Sequence, residues 1–155
     1  MTINIPNYKT LTLTNIVLDY NGTIAKDGEL KEEVKPLLKQ LTSLYSVHVI
    51  TADTFGSVAE QLQSFKLTIK VLASDNHTKE KEEFVESLGA NSCAAVGNGN
   101  NDVYMIKAAE VGIALLGDEG CSTKTLQESD IVCKSIESAL ELFLNTKRLI
   151  ATLRV

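Results

Sequence analysis

The feature that most constrains this chain is a repeated alternation of short apolar runs with amphipathic stretches. Asn15-Ile16-Val17-Leu18, Val47 to Ile50, Ile69 to Leu72, Ala94 to Val96, Val111 to Leu115 and Ile131 to Cys133 have strand length and are apolar almost throughout. Strands apolar on both sides are covered on both sides, which requires a parallel sheet between helices. The stretches between supply the helices. Val34, Leu37, Leu38, Leu41 and Leu44 form a stripe at three-and-four spacing, entered through Glu32 and Glu33 as an acidic first turn. Phe84, Val85 and Leu88 form a second, closed by Gly89, and Ile136, Ala139, Leu140, Phe143 and Leu144 a third, with Ser135 as N-cap. The predicted architecture is α/β: a three-layer, Rossmann-like, doubly wound parallel sheet with right-handed crossovers, residues 1–155 forming a single domain.

Charge and composition exclude several classes. Fifteen basic against twenty acidic side chains give a net charge of −5, which argues against a protein that grips nucleic acid by neutralising phosphates. No apolar run approaches the roughly 20 residues of a membrane-spanning helix, and Met1 to Thr10 lacks the build of a secretory signal. The expectation is a soluble, cytoplasmic domain without a membrane partner. Cys93, Cys121 and Cys133 have no metal-binding spacing and are expected to be buried structural residues. His48, inside an apolar run, is expected to be a satisfied strand residue rather than a ligand.

In an open α/β sheet the ligand site lies off the carboxyl ends of the strands. Asp19-Tyr20-Asn21-Gly22-Thr23 follows the first run, Thr51-Ala52-Asp53 the second, and Gly97-Asn98-Gly99-Asn100-Asn101-Asp102 the fourth. One such end is ordinary turn chemistry; three that converge suggest a site. The apolar stripe of the helix from Thr78 to Leu88, stepped back one turn, lands on Lys81 and not on Lys79. An inward lysine either snorkels or meets an anion, which Asp19 and Asp102 would supply. Two carboxylates, the Thr51 hydroxyl, a lysine and glycine-rich turns suit a hard cation such as Mg²⁺ and a phosphoryl group. There is no phosphate-binding GxxxxGK[ST], and Gly97-Asn98-Gly99 lacks the third glycine of a dinucleotide loop.

Taken together these segments resemble the haloacid dehalogenase (HAD) superfamily, and within it the phosphorylation domain of P-type ATPases. Asp19 to Thr23 is similar to the DxDGT motif and Thr51-Ala52-Asp53 to TGD. Lys81 to Val85 is similar to the lysine helix, and Gly97 to Asp102, with Ala108-Ala109-Glu110-Val111-Gly112-Ile113-Ala114, to GDGxND…ADVGIA. Ser129-Asp130-Ile131-Val132 follows the same pattern. The resemblance implies a HAD-type, capless sheet, since only 32 positions separate Asp19 from Thr51. It implies that Asp19 is a nucleophile, that Thr51 and Lys81 hold the phosphoryl group together with Gly22, Thr23 and Ala52, and that Asp19, Asn21, Asn98 and Asp102 hold Mg²⁺. Two positions depart from the pattern: Asn21 replaces the usual acid–base aspartate, and Asn98 replaces an acidic residue, which throws the cation onto Asp102.

The expected activity is a Mg²⁺-dependent phosphohydrolase acting on a small phosphorylated substrate through an aspartyl phosphate at Asp19, with weak ATPase-like turnover included. The alternative is a non-catalytic or regulatory phosphate-binding domain. An uncovered site would be shielded by a second copy of the chain or would serve a macromolecule. Ala25 to Glu29 is either a flap over the site or a solvated turn. Asp53 either braces neighbouring turns and Lys81 or caps the helix through Val58 and Leu62.

Overall fold

The computed structural model describes residues 1–53 and 56–155. A hairpin of β1 (Thr2–Asn4) and β2 (Thr10–Thr12) precedes β3 (Asn15–Asp19). A second hairpin, β4 (Ala25–Lys26) with β5 (Glu29–Leu30), leads into α1 (Val34–Leu44) and β6 (Ser46–Thr51). There follow α2 (Ser57–Leu62), β7 (Thr68–Val71), α3 (His77–Ser87), β8 (Cys93–Gly97) and α4 (Val103–Ala108). β9 (Val111–Leu115), α5 (Thr123–Glu128), β10 (Ile131–Cys133), α6 (Ile136–Leu144) and α7 (Thr146–Leu153) complete the chain.

Six strands form one parallel sheet in the order β10-β9-β8-β3-β6-β7. All six runs read from the sequence are these strands. The chain starts in the middle at β3, winds outward to β7, returns to β8 and winds the other way. Side-chain alternation splits the core into two layers. Ile16 and Leu18 face a cluster with Val34, Leu38 and Leu41 of α1, Leu140 and Phe143 of α6 and Leu149 of α7. Val17, Ile50, Cys93 and Ala95 face a smaller one with Val85 of α3 and Met105 and Ile106 of α4.

Local details follow the expected chemistry with four corrections. Ser135 caps α6 by accepting from the Ser138 N–H, and Gly89 closes α3 at φ +86°. Glu32 and Glu33, however, precede α1 rather than forming its first turn. Cys121 is half-buried, unlike Cys93 and Cys133. His48 pairs through Nε2 with Asn15 Oδ1 at 3.1 Å, but its buried Nδ1 has no partner among the described residues, and burial lowers its pKa. The β1–β2 hairpin is an element the apolar-run reading passes over; Ile3, Ile5, Leu11 and Leu13 alternate with polar residues and pack on the α6–α7 layer.

Gly112 marks where α4 presses on β9. A Cβ there would lie 2.3 Å from the Ile106 carbonyl oxygen, a backbone atom that cannot swing aside. Gly112→Ala is expected to cost about 1–3 kcal/mol, as overpacking does. It would be read as a lower urea midpoint at unchanged slope.

Candidate active site

β3 and β8 are neighbours in the sheet, and the chain changes winding direction between them. The crevice beyond their carboxyl ends is where such a sheet can receive a ligand. Asp19 is the last residue of β3 and has the parity of Val17, so its carboxylate leaves the sheet on the α3–α4 side. Lys81 stands one turn before Val85 on the buried face of α3. Its Nζ donates to Asp19 Oδ1 at 2.5 Å and to Asp102 Oδ1 at 2.6 Å. Lys81 is 1% exposed and Asp102 is 0%. This buried ion cluster ties α3 to the ends of β3 and β8, and it is the convergence expected for Lys81.

Asp102 is held from its other side. Its Oδ2 accepts from the N–H groups of Asn98 and Gly99, both at 2.9 Å. A Cβ on Gly97 would lie 2.5 Å from the Asp102 carboxyl carbon, so glycine is what lets this carboxylate fold back over the strand end. Asp102 thus sits behind Lys81 and the Asn98–Gly99 turn, while a cavity of about 210 Å³ opens in front. That cavity is lined by Asp19, Asn21, Thr51, Ala52, Lys81 and Asn98 from the expected set. Gly22 and Thr23 lie to one side. Gly22 has φ +77°, and the buried Thr23 hydroxyl donates to Asp19 Oδ2 at 3.3 Å and to Asn98 Oδ1 at 3.4 Å, so it steadies the strand-end turn.

The Thr51 Oγ1 accepts from the Asp53 N–H at 3.0 Å, which fixes the hydroxyl at the cavity wall. Asp53 Oδ2 accepts from Val58 N at 3.0 Å and from Ser57 Oγ at 2.8 Å, and so caps α2. Residues 25–29 form a pinned hairpin rather than a free turn. Its tip is Asp27-Gly28, both at positive φ, as a two-residue hairpin requires. Gly28 O accepts from Tyr20 Oη at 3.2 Å and Gln61 Nε2 at 3.0 Å, and Leu30 N donates to Gln61 Oε1 at 2.6 Å. A second depression of about 350 Å³, lined by Tyr20, Asn21, Gly28, Ala52, Asp53 and Val58, lies between this hairpin and α2.

Burial raises the Asp19 pKa, to about 7; the neighbouring Asp102 charge adds to the rise, and Lys81 and Thr23 oppose it without cancelling it. Burial works against the Lys81 ammonium, but Asp102 and Asp19 outweigh it and raise its pKa. Above about pH 7, where Asp19 is ionised, two carboxylates and one ammonium leave the cluster with a negative charge, a setting that favours a cation. Among the described residues no three His, Cys, Asp or Glu side chains gather closely enough to hold an ion by themselves. The oxygen-bearing residues at the cavity wall are instead Asp19, Asn21 and Asn98. Such a partial oxygen shell fits Mg²⁺, which keeps several waters and takes further oxygens from a phosphate.

Four further residues line the cavity: Leu72, Gly99, Asn101 and Glu119. Glu119 follows β9 in the turn Gly117-Asp118-Glu119. Extending the strand-end rule to the fifth apolar run locates it.

The crystal structure of a 3-deoxy-D-manno-octulosonate 8-phosphate phosphatase from Moraxella catarrhalis, in complex with magnesium, phosphate and KDO, superimposes with a TM-score of 0.71. It is 18% identical, over 92% of this chain and 94% of that one. A Legionella pneumophila protein assigned to HAD superfamily subfamily III A gives 0.71 at 14% identity, over 92% and 87%. This is a HAD-type fold. No family model matches the sequence. Among curated proteins, the uncharacterized protein MJ0073 of Methanocaldococcus jannaschii is 55% identical over 60 residues, which are 39% of this chain and 64% of that one. The phospholipid-transporting ATPase tat-1 of Caenorhabditis elegans is 29% identical over 100 residues, 63% of this chain and 8% of the ATPase. The chain therefore spans less than two thirds of either of these two relatives. In this HAD-type fold the hairpin and α1 are the elements between Asp19 and β6, and no helix among the described residues is long and apolar enough to cross a membrane.

Proposed function

We propose that the chain is a Mg²⁺-dependent phosphohydrolase working through covalent catalysis on Asp19. The observation that carries this reading is that the Asp19 carboxylate, the Thr51 hydroxyl and the Lys81 ammonium share one small cavity at the switch point of the sheet. The Moraxella phosphatase, with Mg²⁺ and phosphate in the same fold, supports it. Asp19 Oδ attacks phosphorus, the bond from phosphorus to the leaving oxygen breaks, and that oxygen takes its proton from water. Water then attacks the aspartyl phosphate; the bond from phosphorus to Asp19 breaks, and phosphate leaves with the carboxylate restored. Thr51 and Lys81 donate to the phosphoryl oxygens. Asp19, the Asn21 carbonyl and Asn98 would hold Mg²⁺, which would supply charge neutralisation there.

Asn21 lines both the cavity and the depression under the hairpin, and an amide cannot protonate a departing alkoxide. The substrate class is therefore a small phosphorylated compound with a good leaving group, an acyl or aryl phosphate or a phosphoanhydride. Its leaving portion rests in the hairpin depression. Asn21→Asp is expected to raise turnover of alkyl phosphates about 10²-fold, the lower range for a positioned acid. If the purified variant is no faster than the parent on a sugar phosphate, this account of the leaving group is wrong. The reading as a whole is tested with p-nitrophenyl phosphate, with MgCl₂ and with EDTA. Mg²⁺-dependent phosphate release and acid-stable label on the protein are expected, and no turnover under either condition leaves a phosphate-binding domain.

A further inference from the structure

The exchange at position 98 has a counterpart across the cavity. Glu119 lines the same wall as Asp19, Asn21 and Asn98. A Cβ placed on Gly22 would lie 2.7 Å from Glu119 Oε2, 2.9 Å from Asn98 Nδ2 and 3.0 Å from Asn98 Oδ1. The Glu119 carboxylate and the Asn98 amide thus close over the same bare patch of backbone at Gly22, the residue after Asn21. Any side chain at 22 would fill the space they share.

Both neighbours of Glu119 are tethered. Asp118 pairs with Lys31 at 3.1 Å, just beyond the hairpin, and this ion pair lowers the Asp118 pKa. On the other side Gly120 O accepts from Asn98 Nδ2 at 3.1 Å, and Ser122 N donates to Asn98 O at 2.7 Å. Thr125 Oγ1 adds a bond to Gly99 O at 2.6 Å. Among the described residues Asp118 has its lysine, while Glu119 forms no ion pair. The Asn98 side chain is the link. Its N–H donates to the loop carbonyl, which a carboxylate at 98 could not do, and an aspartate there would repel Glu119 across Gly22.

We infer that Glu119 supplies to the Mg²⁺ site the carboxylate that position 98 does not carry, and that the Asn98 amide positions the loop that delivers it. The inference rests on the metal-dependent reading above. The pair keeps the charge of the site by moving the carboxylate from the end of β8 to the loop after β9. Asp19, Glu119, the Asn98 oxygen and the Asn21 carbonyl then form an oxygen set with the two carboxylates that a Mg²⁺ site commonly takes. Asp102, held behind Lys81, is left to position the lysine.

The test is Mg²⁺ binding to the full chain, read as the MgCl₂ concentration at the midpoint of thermal stabilisation and requiring no turnover. Glu119→Gln alters an exposed side chain and is expected to fold as the parent does. It should move that midpoint upward about tenfold or more, the scale of loss seen when the surroundings of a metal site are disturbed. Adding Asn98→Asp to Glu119→Gln should restore much of the affinity by returning a carboxylate to the site. Equal Mg²⁺ midpoints for parent and Glu119→Gln, or no recovery in the double variant, would overturn the inference and leave the phosphohydrolase reading standing. A parent chain that does not respond to MgCl₂ at all would overturn both.

Discussion

Asp19→Asn is expected to abolish phosphate release while making the protein more stable. Deleting the nucleophile of a covalent mechanism costs roughly 10⁴-fold or more in turnover. The amide can still accept from Lys81 but cannot form the phosphoenzyme, so the label on the protein should vanish too. The stability gain comes from the charge balance of the cluster. In the parent one buried ammonium faces two buried carboxylates, and burial together with Asp102 raises the Asp19 pKa from 3.8 to about 7. A carboxyl whose folded pKa lies above its unfolded one binds its proton more tightly in the folded state. Its contribution is fully present below about pH 4 and is lost as the pH climbs to about 7. Asp19→Asn removes that loss, a gain of the order of 1–4 kcal/mol at pH 8 that shrinks toward zero near pH 4. Urea unfolding at the two pH values, without divalent ions, checks it. A variant less stable than the parent at pH 8 would mean that the Lys81–Asp19 contact outweighs the cost of burying that charge.

This opposition between stability and chemistry locates what the sequence could and could not reveal. The inner sheet strands β3, β6, β8 and β9 were legible because they are covered on both faces, so burial writes itself as apolar runs such as Val111 to Leu115. The edge strands β7 and β10, which leave Val71 and Val132 exposed, were legible from short apolar runs alone. Lys81 was legible for a related reason: a cation on the buried stripe of α3 is out of place unless anions meet it, and the topology brings Asp19 and Asp102 to it. Short elements were harder to read. The β1–β2 hairpin has only Ile3, Ile5, Leu11 and Leu13 to mark it, and α4 and α5 have six residues each, too few for a stripe to repeat. For Asp102 motif spacing reports that a carboxylate is near the site, not which way it turns. That orientation depends on Gly97 and on two backbone N–H groups. The strand-end rule reaches the loop of Glu119, but the path of that loop is set by Asn98 and Lys31, contacts between residues far apart in sequence.

Lys81→Met should produce the largest loss of stability of any single substitution at the site. Methionine matches the lysine stem in length, so the packing of α3 on β8 is retained and the lost interaction is that of the charge. Removing one partner of a buried ion cluster costs about 3–5 kcal/mol, because the remaining charges are left uncompensated. Here the remaining charges are two carboxylates that a single ammonium now bridges, Asp19 and Asp102. Two acids so close cannot both ionise cheaply, and one of them will hold a proton to higher pH than Asp19 does in the parent. The penalty should therefore be greater at pH 8 than at pH 5, where that proton is bound in the folded state. Mg²⁺ discriminates further. A divalent ion at the cavity wall offsets part of the missing ammonium, so MgCl₂ should stabilise Lys81→Met more than it stabilises the parent. Phosphate release should remain low in the variant even with Mg²⁺ present, since no donor replaces Nζ beside the phosphoryl oxygens. If Lys81→Met instead unfolds at the same urea concentration as the parent at pH 8, the ion cluster is not what fastens α3 to the end of the sheet.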